Sequence, residues 1–147
     1  MNQDDLKKRT KLFALRILKL VAALPNTVIG GTIGGQLARA GTSVGSNYRA
    51  ACRSRSKAEF IAKIGVVEEE ADESGFWLEM IIESELVKKS LVDPLLQESI
   101  ELTKIMASSR KSAKETDSRQ MPTYQIGNRQ LAIGNHIWPG FVEINPN

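Results

Sequence analysis

The sequence predicts an all-α protein, an antiparallel up-down-up-down four-helix bundle followed by an irregular C-terminal extension. Three observations carry this. Apolar residues recur at three- and four-residue spacing through most of the first 114 positions. The 68 residues between Pro25 and Pro94 contain no proline, which leaves room for long helices. The connections between periodic segments are short, and short links between long helices make sequence neighbours antiparallel. At 147 residues, 41% hydrophobic and 25% charged, the chain suits one soluble domain and excludes global disorder or a collagen-like repeat.

The first helix is expected over about 5–24, with Asp4 or Asp5 as its cap and Phe13, Ile17, Leu20 and Leu24 on its buried side. Pro25 and Asn26 end it. The second is expected over about 27–54, where Ile33, Leu37, Ala40, Val44, Tyr48 and Ala51 share one face. Its glycines fall in pairs four apart, Gly31 with Gly35 and Gly41 with Gly45, a spacing that permits close helix approach. Ser56 to Glu59 reads as a capping box opening a third helix over about 57–90, with Phe60, Ile64, Val67, Ala71, Leu78 and Ile82 inward. Asp93 and Pro94 read as a cap and first helical position, giving a fourth helix over about 94–114 with Leu95, Leu96, Ile100, Leu102, Ile105 and Met106 as its apolar set. The bundle domain is thus 1–115. The remainder, 116–147, holds 4 of the 37 charged residues and three of the five prolines, and is expected to be irregular or a short hairpin.

Charge divides sharply along the chain. Residues 1–57 carry eleven Lys and Arg against two acids, 58–87 carry one against nine, and 88–147 carry eight against six. The overall +3 is therefore the sum of a basic helical pair and an acidic third helix. On the second helix Arg39, Thr42, Ser46, Arg49 and Arg53 form a stripe opposite the apolar face, and Arg55 and Lys57 extend it. Guanidinium forks match phosphate oxygens, so Arg39, Arg49, Arg53, Arg55 and Lys57 form a candidate nucleic-acid-binding set. The structural alternative is that these arginines pair with the acidic helix, within or between subunits. Glu70, Glu73 and Trp77 are the corresponding candidates for an oligomer interface, Trp77 because it lies to one side of the third helix's apolar face.

Other chemistry finds little support. The lone Cys52 and lone His136 exclude a disulfide within the chain and a cysteine- or histidine-rich metal site. The acidic helix lacks the Glu-x-x-His pattern of di-metal bundles. The glycines form neither a dinucleotide fingerprint nor a P-loop. No catalytic residue, metal or cofactor is expected. The most apolar stretch, 12–24, is too short to span a bilayer and contains Arg16 and Lys19. With no convincing export signal and a free thiol, the expected location is the cytoplasm.

Residues 36–51, then 53–60, together with Glu69-Glu70-Ala71-Asp72-Glu73-Ser74-Gly75-Phe76-Trp77-Leu78-Glu79, resemble the four helix bundle proteins encoded in intervening sequences of bacterial large-subunit ribosomal RNA genes. The likeness covers about 6–114 and is similar, more distantly, to the accessory proteins of diversity-generating retroelements. It implies a non-enzymatic cytoplasmic bundle that assembles with itself, as a pentamer, and suggests RNA or DNA as a partner. Two readings follow: a nucleic-acid-binding accessory protein that uses the arginine stripe, or an interaction scaffold whose Arg and Glu faces hold subunits together.

Overall fold

The computed structural model describes residues 1–119. Its helices are α1 (Gln3–Ala22), α2 (Val28–Ala51), α3 (Lys57–Glu83) and α4 (Lys89–Arg119). Each packs extensively on the next in sequence, while α1 meets α4 along a shorter seam. The four-helix bundle is as expected. The reading of 116–147 as irregular lies, beyond residue 119, outside the described residues, and α4 itself continues past the boundary placed at 115.

Local chemistry explains the starts of the first three helices and the end of α3, and corrects several expected boundaries. Asn2, not Asp4 or Asp5, caps α1. Its side chain accepts from the Asp5 N–H at 2.9 Å, and Asp5 Oδ2 accepts from the Asn2 N–H at 3.3 Å. Thr27 caps α2 through the Gly30 N–H at 3.0 Å, and Ser56 caps α3 through the Glu59 N–H at 3.1 Å. Glu59 reaches one residue further back than expected, accepting from the Arg55 N–H at 2.8 Å.

The third helix stops at Glu83, seven residues before the expected end. There Glu85 turns left-handed at φ 55°. The Leu86 N–H donates to Ile81 O at 3.2 Å and the Glu85 N–H to Ile82 O at 3.1 Å. That pair of bonds is a Schellman ending, and glutamate occupies the position that glycine usually signals. The fourth helix starts at Lys89, so Pro94 sits inside it and Asp93 is not its cap. Val92 is fully buried and belongs to the same apolar row as Leu95, Leu102 and Met106. Burying that row and pairing Lys89 Nζ with Asp93 Oδ2 at 2.6 Å offset the backbone bond that proline forfeits near the start.

The core is continuous through all four helices. Phe13, Ile17 and Leu20 of α1 meet Ile33, Leu37, Val44, Tyr48 and Ala51 of α2. Ile64, Val67, Ala71, Leu78 and Ile81 of α3 and Val92, Leu95, Leu102 and Met106 of α4 complete it. The inward face read for α2 is correct at every position. On α4, Ile100 is instead exposed.

Glycine sets how closely α1 and α2 approach, but through one of the two expected pairs. At Gly31 and Gly35 a Cβ would meet nothing within 4 Å, so that pair makes no close contact. At Gly41 a Cβ would stand 2.8 Å from both γ carbons of Ile17, and at Gly45 3.3 Å from the Thr10 carbonyl oxygen. The two backbones nearly touch there because no side chain intervenes. The buried Thr10 hydroxyl is satisfied within its own helix, donating to Leu6 O at 2.8 Å. Gly75 makes a similar approach between α3 and α4, where a Cβ would meet Ser99 Oγ at 3.0 Å.

Candidate nucleic-acid interface

The close approach at Gly45 creates a groove of about 600 Å³ along the outer side of the α1–α2 pair. Lys7, Lys8, Lys11 and Ala14 line it from α1. Thr42, Gly45, Ser46 and Arg49 of α2 line it from the other side, with Arg53 just beyond the helix end. Lys7 is within 3.5 Å of Asp4, whose side chain is 78% exposed. Lys8, Lys11, Arg49 and Arg53 have no ion-pair partner among the described residues. The two hydroxyls are already engaged: Thr42 donates to Ala38 O at 2.7 Å and Ser46 to Ser43 O at 3.3 Å. The groove thus presents free cationic heads above a floor of small residues and aliphatic stems.

The arginine stripe divides between two tasks. Arg49 and Arg53 face this groove. Arg39 instead reaches α3, where its Nη2 donates to Glu73 Oε1 at 2.8 Å and to Gln36 Oε1 at 3.3 Å. The same Glu73 oxygen accepts from Trp77 Nε1 at 3.3 Å. A residue read as phosphate-binding and two read as subunit contacts therefore meet inside one chain. Arg55 and Lys57, in the link after α2 and at the start of α3, are not lining residues of the groove.

Two further ion pairs join helices in the same way. Arg9 of α1 holds Glu98 of α4 with Nε at 2.7 Å and Nη2 at 2.9 Å, and reaches Glu101 at 2.5 Å. Arg110 of α4 forks onto Glu68 of α3 at 2.7 and 3.1 Å. Both carboxylates raise their arginine's affinity for its proton, chiefly through the hydrogen bonds to Glu98 and to Glu68.

Glu70 behaves differently. Its Oε2 is buried without a hydrogen-bond partner. Burial first, then the charge of Glu73, pushes its carboxyl above the usual range, while Arg39 opposes the shift. A carboxyl whose folded pKa is raised costs stability while ionised, and that cost declines as pH falls through the folded value and is gone below the unfolded one. Glu70→Gln is therefore expected to raise the melting temperature at neutral pH. The gain should vanish below the ordinary carboxylate range, which calorimetry across a pH series would check.

Cys52 packs at the core's edge, and burial pushes its thiol up, the opposite of what a reactive cysteine needs. No group of three or more His, Cys, Asp or Glu able to hold a metal occurs among the described residues. Likewise, no described helix is long and apolar enough to cross a membrane.

Sequence reasoning missed the α1 contribution to the groove. Lys7 and Lys11 repeat the four-residue step of Arg49 and Arg53. That repeat becomes a signal only once the antiparallel register places Thr10 against Gly45.

Fold and surface together define, over the described residues, a small helical bundle tied across its helices by arginine–glutamate pairs and carrying a cation-lined groove between α1 and α2. The chain belongs to the family of 23S rRNA-intervening sequence proteins, which it matches over residues 3–108. It is also similar to a solved structure from Bacteroides thetaiotaomicron VPI-5482, a protein of unknown function from the S23 ribosomal protein family. The two are 33% identical with a TM-score of 0.68, over 72% of this chain and 98% of that one. No curated protein matches the chain.

Proposed function

We propose that the protein is a non-enzymatic, self-associating cytoplasmic bundle that binds nucleic acid through the α1–α2 groove. The convergence of Lys8, Lys11, Arg49 and Arg53 on one groove without carboxylate partners carries this reading. Cations that hold the bundle together are paired, as at Arg9, Arg39 and Arg110. Four unpaired ones on one surface repel each other and favour a polyanion. Arg49→Glu with Arg53→Glu is expected to weaken RNA or DNA binding by at least about tenfold at low salt while leaving helicity unchanged. Fluorescence anisotropy across a salt series measures this. No binding at low salt, or binding indifferent to the double substitution, would overturn it.

Self-association rests on a separate observation. Leu12, Leu15 and Leu18 stand 56%, 51% and 44% exposed on α1, and Phe76 is 51% exposed on α3. A second copy would cover such apolar surface. Glu73 and Trp77 are engaged with each other and, through Glu73, with Arg39, so a contact at that end would use Phe76, whose ring packs edge-on against Trp77 at 4.9 Å. Light scattering of the intact chain tests the pentamer that the family resemblance implies, and a monomeric mass would sink this part of the proposal.

A further inference from the structure

Granting the nucleic-acid reading above, we infer that the groove takes the phosphate backbone of a duplex, in a manner indifferent to base sequence, and not a single strand. Proteins that hold single strands commonly supply aromatic faces on which unpaired bases stack. None of the described residues lining this groove is aromatic. The aromatics of the same two helices, Phe13 and Tyr48, are 1% and 5% exposed and face the core. Phe76, which is exposed, lines a different groove between α3 and α4. An unpaired base therefore finds no aromatic face to stack on here, and a flexible strand would still lose entropy on being ordered.

Base edges fare no better. Reading them takes donors and acceptors at defined positions, typically Asn, Gln or Arg forks entering a nucleic-acid groove. The lining holds no Asn or Gln, and the hydroxyl protons of Thr42 and Ser46 are already donated to their own helix. Its two arginines, Arg49 and Arg53, have no ion-pair partner among the described residues to hold their forks at one position. What remains is charge in two facing rows. Lys7 to Lys11 advance by one helical turn of α1, about 6 Å, and Arg49 with Arg53, the latter just past the end of α2, face them from the other side. Such a short ladder suits a few consecutive phosphates on a stiff ridge, which a duplex presents already spaced. Backbone contacts of this kind position a duplex without reading its sequence.

The test uses the intact chain and three labelled probes: an unstructured oligothymidine, and DNA and RNA duplexes, each duplex made in two unrelated sequences. Both kinds of duplex are expected to bind at least about tenfold tighter than the single strand at equal salt. The two sequences should agree within about threefold, and the logarithmic salt slope should be about −3 to −4 per chain bound, set by four unpaired cations. A smaller duplex advantage, a larger difference between sequences, or a steeper slope overturns this inference while leaving the nucleic-acid reading intact. If none of the probes binds at low salt, the nucleic-acid reading itself fails.

Discussion

Gly41→Ala is expected to destabilise the protein by about 2 kcal/mol, the cost of forcing a methyl group into a filled core. Helix propensity alone predicts the reverse, because alanine is the better helix former by about 1 kcal/mol. Packing decides the sign. The added carbon would lie 2.8 Å from both γ carbons of Ile17 and 3.0 Å from its Cβ. Ile17 is fully buried, and a β-branched side chain in a helix has essentially one rotamer, so it cannot swing aside. The helices must separate instead, which also opens the contact between Gly45 and Thr10. Gly31→Ala and Gly35→Ala provide the contrast. Both sites are exposed with empty space beyond, and each is expected to gain about 0.5–1 kcal/mol from propensity and reduced unfolded-state freedom. Urea denaturation of the three variants measures the difference. Equal effects at all three would mean that α1 and α2 do not approach as described.

Arg9→Ala is the second large effect, expected to cost about 2 kcal/mol, less than for a fully buried pair because Glu101 is nearly half exposed. Arg9 forks onto Glu98, whose side chain is 16% exposed, and also holds Glu101. Without the guanidinium, two carboxylates are left near one another in a partly desolvated seam. The loss falls where α1 meets α4 along its shortest contact, so amide exchange should accelerate in α1 first. Arg9→Lys should recover only part of the loss, because an ammonium cannot make the paired fork. Lys8→Ala, one residue away on an exposed position without an ion-pair partner, should change stability by less than about 0.5 kcal/mol. Thermal and urea unfolding of the three variants test the order Arg9→Ala, Arg9→Lys, Lys8→Ala.

Much of this architecture was legible from periodicity. The inward row Ile33, Leu37, Ala40, Val44, Tyr48 and Ala51 is buried as read, because an isolated helix already segregates those side chains to one face. Helix ends were less legible. Proline at 94 signals a start, yet the buried Val92 extends the helix back to Lys89. Glu85 ends α3 in a conformation that glycine would have announced. The glycine spacing on α2 likewise predicted close approach at two places, and the neighbouring helix supplies contact at one.

The sequence by itself determined the helical class, the core face of α2 and the opposition between a basic first half and an acidic third helix. Those follow from local spacing and composition, which require no partner helix. Only tertiary structure decided what each charge does. The register of α2 against α3 binds Arg39 to Glu73, whereas the register of α1 against α2 leaves Arg49 and Arg53 facing Lys8 and Lys11. Coulomb energy falls with distance, and ångström distances between helices are set by packing at positions such as Gly41 and Gly45, not by neighbours in sequence.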